Sequence, residues 1–185
     1  IDKIRPLAYQ YLSQHSDAIE YHKVHDAYSY VDGVKLNSNK IFTKINKQAL
    51  FPNSATRGVL YLVRNPLDVA ISFAHHCGWS IDTTINNMSN TQQTFSGGSN
   101  KLYNQLRQHL YSWTMHVQSW LDAPIDNKLF VRYEDMKLSP FSTFSKMAKF
   151  LELPYDESSI KKAIGNSEIK QLQAQEEVNV FKEKS

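Results

Sequence analysis

Apolar positions recur along this chain with two different periods, and each change of period marks an element. Residues 1–16 predict a helix, with Ile4, Leu7, Ala8 and Tyr11 or Leu12 on one apolar face. Ile19 to Ala27 alternates enough to predict a strand carrying Lys23 and His25 on one side. Val31-Asp-Gly-Val34 followed by Lys40 to Ile45 predicts a hairpin or a short irregular insert. Gly58 to Val63 is a short run of apolar, β-branched and aromatic residues, the pattern of a strand covered on both faces. A helix from about 66 to 78 follows, then a shorter one over 80–88 with Ser80 as its cap. Ser89 to Lys101 is polar, contains Gly97-Gly98, and predicts a mobile loop that can act as a lid.

Beyond that loop, Leu106, Leu110, Trp113, Val117 and Trp120 or Leu121 recur at helical spacing, a stripe that predicts core, and Pro124 ends the helix. Lys128 to Tyr133 predicts a strand, with helices over 140–152, 156–164 and 167–178. Strands that alternate with helices argue for the α/β class, a parallel sheet packed between helical layers. No repeat, low-complexity tract or linker divides the 185 residues, so one domain over 1–185 is expected.

The most informative stretch is Tyr61-Leu-Val-Arg-Asn-Pro-Leu-Asp-Val-Ala-Ile-Ser72. Asn65 can cap a helix, Pro66 suits its first position, and Asp68 puts a negative charge in its first turn. Arg64 therefore lies at the carboxyl end of a strand, where open α/β sheets bind ligands. Ser72 is four residues after Asp68 and shares its helix face. An arginine fork and a serine hydroxyl converging there can hold a phosphate. A structural turn, with Arg64 paired to Asp68, accounts for the same residues, and both readings stand at this point.

Arg64-Asn65-Pro66 with Asp68, Ser72 and His76 resembles the 3′-phosphate-binding signature of sulfotransferases that use PAPS, 3′-phosphoadenosine 5′-phosphosulfate. Val131-Arg-Tyr-Glu-Asp-Met136, followed by Phe150-Leu-Glu-Leu-Pro154, resembles the tyrosine-containing strand and following helix of that family. Lys23-Val24-His25-Asp26 resembles its Lys-Thr-His segment, with valine for threonine. Ala55-Thr-Arg-Gly58, Ser72-Phe-Ala-His-His76 and Gln173-Ala-Gln-Glu-Glu177 bring the likeness nearest to bacterial cytosolic-type members.

The resemblance implies a three-layer P-loop-NTPase-like fold with a central parallel sheet flanked by helices. It implies a sulfuryl transfer from PAPS to the hydroxyl of a small-molecule acceptor, with adenosine 3′,5′-bisphosphate as product and no metal. His25 matches the family's general base, and an imidazole titrates in the range that role needs. Lys23 matches a lysine that stabilises charge on the transferring group. Arg64 and Ser72 match the residues on the 3′-phosphate, Tyr133 a tyrosine close to the adenosine, and Ser167 a threonine or serine close to the adenine. Ile169 stands where the family usually has an aromatic, which leaves base stacking there in doubt. The adjacent His75 and His76 point about 100° apart on a helix and make poor co-ligands for one metal. Glu134-Asp135 reads as a strand-to-helix turn rather than as an acid–base pair.

Composition narrows the setting. A formal charge of +3 does not argue for a nucleic-acid surface. A single cysteine, Cys77, cannot form an intrachain disulfide and fits a reducing compartment. No apolar run reaches the roughly eighteen residues of a membrane span, so the expectation is cytoplasmic. The Pro-Lys-Ser-Gly-Thr-Thr-Trp type of loop that cradles the 5′-phosphosulfate in the family does not occur in these residues, nor does its Arg-Lys-Gly segment. A sheet without the phosphate-loop strand leaves its neighbours with unpaired backbone groups. The expectation is that these residues belong to a longer protein, or that a homodimer or strand exchange fills the gap. Two other functions stay open: a degenerate nucleotide-binding or interaction domain without catalysis, and a P-loop kinase relative. Tyr28, Tyr30, Phe73, Trp79 and Phe95 can line an apolar acceptor pocket, but they do not identify the acceptor.

Overall fold

The computed structural model describes residues 2–36, 42–97 and 106–168. The chain divides into two compact units, Ile1–Val59 with Asn65–Lys128, and Leu60–Arg64 with Leu129–Ser185. The predicted 167–178 helix and the glycine-containing half of the predicted 89–101 loop lie largely outside the described residues.

In the first unit, α1 (Arg5–His15) opens on Pro6, which needs no N–H partner in a first turn. Its apolar face is not what it buries: Tyr11 is 61% exposed, whereas Arg5 and Pro6 are buried. Arg5 draws the helix in through an ion pair with Asp26, and Tyr9 packs on Phe51 at 5.6 Å between ring centroids. The run 19–27 forms no strand. Single bonds pin its inner end instead, from Ala27 N–H to the His109 carbonyl and from Tyr28 N–H to Ser119 Oγ. Without a ladder partner, alternation alone does not make a strand.

β1 (Tyr30–Leu36) and β2 (Phe42–Ala49) form an antiparallel hairpin with an irregularity between Val31 and Gly33. After it, Leu50 and Phe51 turn inward and meet Trp120 and Tyr28 in the core of this unit.

α2 (Pro66–Cys77) begins as its sequence dictates: the Asn65 side chain accepts from Leu67 N–H at 3.0 Å. It ends at Gly78, whose φ of 64° is left-handed and costs glycine nothing. α3 (Ile81–Ser89) is capped by Ser80, which accepts from Thr83 N–H, and it packs on α2 around buried Ala70, Ala74 and Thr84. The two-residue strands β4 (Thr94–Phe95) and β5 (Gln108–His109) pair antiparallel. Leu106 and Leu110 therefore precede α4 (Trp113–Leu121) rather than belonging to it. Tyr111 in the left-handed region at φ 58° breaks the backbone there, and the Ser112 hydroxyl starts the helix afresh by accepting from Met115 N–H.

The second unit holds the strand pair on which the α/β class rests. β3 (Val59–Val63) lies beside β6 (Lys128–Arg132), with which it makes a parallel pair joined by a long crossover. Leu129 and Val131 are buried on alternate positions of β6, and Tyr61 meets Phe130 at 5.2 Å. β3 is not covered on both faces: Leu62 is 55% exposed, on a face that no described element covers there. α5 (Tyr133–Leu138) is a helix that the sequence pattern did not predict, and it takes Tyr133 out of the expected strand. α6 (Pro140–Phe150) and α7 (Glu157–Asn166) complete the unit around Ala148 and Ile160. Asp156 and Ser159 cap α7 reciprocally, each side chain accepting the other's backbone N–H.

Candidate functional site

Asp26 organises the candidate residues of the first unit. It is 1% exposed, and its carboxylate accepts Arg5 Nη2 at 2.8 Å and Arg5 Nη1 at 3.1 Å, with the His109 N–H at 3.0 Å. A buried carboxylate needs such partners, because leaving water is costly unless its lone pairs are filled. Burial pulls the Arg5 pKa down, but bonds to Asp26 and Tyr9 more than offset it and hold the guanidinium charged. Trp120 Nε1 donates to the Asp26 carbonyl at 3.0 Å, and His116 Nε2 lies 3.1 Å from the His25 carbonyl.

These contacts fix a short extended segment where it enters the interior. Residues 26–29 are buried, and His25 and Lys23 are the exposed residues just before them. Lys23 and His25 thus stand together on one run, held by its neighbours' backbone bonds rather than by a strand ladder. Ser72 is exposed on α2, one turn beyond Asp68, in the same unit.

Arg64 and Tyr133 meet in the second unit. Arg64, half-buried, directly follows β3, and its guanidinium carbon lies 4.6 Å from the centroid of the Tyr133 ring. Lys137, one turn along α5, brings its ammonium to 5.6 Å from the same centroid. A cation over an aromatic ring is attracted to it electrostatically, by about 0.5–2 kcal/mol for each well-placed pair. Ser167 closes α7 and donates its hydroxyl to the Ala163 carbonyl at 2.7 Å, an exposed cap. Arg64 and Ser72 belong to different units.

One family model, the sulfotransferase domain, matches residues 4–185. The chain belongs to the sulfotransferase family. It is 32% identical over 104 residues to the rabbit (Oryctolagus cuniculus) amine sulfotransferase, covering 55% of this chain and 32% of that protein. It is also 32% identical over 120 residues to rat (Rattus norvegicus) sulfotransferase 2A1, covering 64% and 39%. The chain thus spans well under half the length of the curated relatives it matches. Among solved structures, mouse sulfotransferase SULT7A1 complexed with PAP superposes with a TM-score of 0.52 at 21% identity. That match covers 68% of this chain and 44% of the mouse chain, and it shows the sulfotransferase fold, of the P-loop-NTPase-like type.

Three residues beside the candidate positions were not foreseen from sequence. Asp26 stands in the Lys-Val-His-Asp block, where nothing in the adjacent sequence marks it as half of a buried pair. His116 lies on the 113, 117 and 120 stripe of α4, at the spacing that places it on the same helix face. No sequence signal singled out Arg5. Among the described residues, no group of three or more His, Cys, Asp or Glu could hold a metal ion, and no helix is long and apolar enough to cross a membrane.

Proposed function

We propose that this sulfotransferase chain takes part in sulfuryl transfer from PAPS to the hydroxyl of a small-molecule acceptor. His25 is the general base and Lys23 the charge stabiliser beside it. Arg64 and Ser72 hold the 3′-phosphate, Tyr133 borders the adenosine, Ser167 the adenine, and the 185 residues work as one domain. The observation that carries this reading is the meeting of Arg64 and Tyr133, two residues assigned to the same nucleotide, at 4.6 Å.

The residues fit such a donor. An arginine guanidinium has a planar fork of N–H donors that matches a phosphate, and an aromatic ring beside it suits a nucleoside. PAPS supplies an activated sulfuryl group, so the protein has no covalent intermediate to form and its work is positioning and charge stabilisation. His25 accepts the acceptor's hydroxyl proton as the new oxygen–sulfur bond forms. The sulfur–oxygen bond to the 5′-phosphate breaks, and adenosine 3′,5′-bisphosphate leaves with that electron pair. An exposed imidazole on a fixed backbone suits that step, since its ordinary pKa lies near neutrality.

Isothermal titration of the full-length protein tests the reading. Adenosine 3′,5′-bisphosphate should bind about a hundredfold tighter than 5′-AMP, the worth of two charge-assisted hydrogen bonds at ~1.5 kcal/mol each. Arg64→Met should abolish the preference, and Tyr133→Leu should weaken binding roughly threefold to thirtyfold. Equal affinities for the two nucleotides would remove the 3′-phosphate site. Tight, selective binding without turnover on any hydroxyl acceptor would favour the non-catalytic binding domain.

A further inference from the structure

We propose that His116 is a positioning residue for His25, holding the His25 peptide through a ring N–H. The inference rests on the reading of His25 as the base. One face of α4 addresses the backbone around that base. His116 Nε2 lies 3.1 Å from the His25 carbonyl, Trp120 Nε1 donates to the Asp26 carbonyl, and Ser119 Oγ accepts the Tyr28 N–H. Ser119 in turn donates its hydroxyl to the His116 carbonyl at 2.7 Å, closing the set. His116, Ser119 and Trp120 are spaced i, i+3 and i+4, so one helix face reads three successive parts of the extended segment. Of the three, His116 alone bonds the peptide of His25 itself.

A carbonyl only accepts, so the contact requires a proton on His116 Nε2. The charged groups that face the ring are Asp26 and His25. Burial is the largest influence and pushes His116 below its ordinary value, and positive charge on His25 pushes the same way. The bond to the His25 carbonyl and the Asp26 charge pull upward. Arg5 occupies Asp26 with two hydrogen bonds, which blunts that pull. The outcome is a neutral ring with its proton on Nε2. A neutral neighbour has a consequence for the base: no second positive charge opposes the proton that His25 acquires. His116 thus anchors the peptide without adding charge beside His25.

Nitrogen-15 NMR of the imidazoles in the full-length protein, followed from pH 5 to 8, tests the contact without needing turnover. The expected result is the Nε2–H tautomer at His116, with the ring protonating below the ordinary imidazole range. An Nδ1–H tautomer at His116, or protonation at or above that range, would overturn the proposal. Turnover with PAPS, using 2-naphthol as the acceptor probe, gives the second arm. His116→Phe should lower kcat roughly tenfold or more, since an ångström of misplacement can cost about a hundredfold, while KM for PAPS stays unchanged. His116→Gln keeps an N–H donor and should recover most of kcat. Wild-type kcat in His116→Phe sinks the positioning role. His25→Ala separates the two ideas: full turnover in that variant removes the base reading, and the tautomer still decides the His116 contact.

Discussion

Removing the Asp26 carboxylate is the perturbation from which the fold of the first unit should suffer most. The pair is buried at both ends, with Arg5 9% and Asp26 1% exposed in their side chains. Asp26→Ala strands a guanidinium away from water and orphans the His109 N–H. Breaking a buried pair from one side costs about 3–5 kcal/mol. The Trp79, Trp113 and Trp120 indoles all lie in this unit, so tryptophan fluorescence reports its unfolding selectively. With a urea slope of about 2 kcal/mol/M, the midpoint should fall by roughly 2 M. The double variant Arg5→Met with Asp26→Val removes both charges and should recover most of the loss. A deficit of ~1–3 kcal/mol should remain, from the unpaired His109 N–H. A midpoint shift below about 0.5 M for Asp26→Ala, or additive losses in the double variant, would refute the argument that the pair is a coupled buried unit.

Two further outcomes follow from local geometry. Lys128 Nζ donates to the carbonyls of Leu121 at 2.7 Å, Ala123 at 2.8 Å and Trp120 at 3.3 Å, so it caps the carboxyl end of α4 with a full charge. Lys128→Met should cost about 2 kcal/mol in the same urea assay, and a loss under ~0.5 kcal/mol would show the cap to be idle. Burial pushes Tyr28 and Tyr61 up to about 12 from 10.0, with Tyr30 adding to the shift at Tyr28. Their unfolded forms hold fewer protons between pH 10 and 12, so stability should fall as pH rises through that window. Ultraviolet titration should show late ionisations that disappear one at a time in Tyr28→Phe and Tyr61→Phe. Two unaltered curves would contradict the burial argument.

Local chemistry made much of this chain legible. Asn65 and Ser80 start their helices through hydrogen bonds that reach two or three residues. Gly78 ends one because it takes a left-handed backbone without strain. Such bonds close within a turn, and the residues that make them are adjacent in sequence. The order of β3, Arg64 and α2, and the motifs that resemble sulfotransferases, were readable for the same reason.

Contacts between distant residues decided the rest. The run 19–27 alternates like a strand, but a strand exists only when another backbone pairs with it. Here isolated bonds from His109 and Ser119 took that place. The apolar stripe of α1 was outweighed by one ion pair between residues 21 apart, and Asp26 also took the N–H of a residue 83 away. His116 meets His25 across 91 residues. By itself the sequence determined where α2 and α3 begin and which family the motifs resemble, because those signals are short-range. Tertiary structure alone decided which charge is buried, which strand forms and what holds the His25 peptide, because each depends on a partner that adjacent residues do not specify.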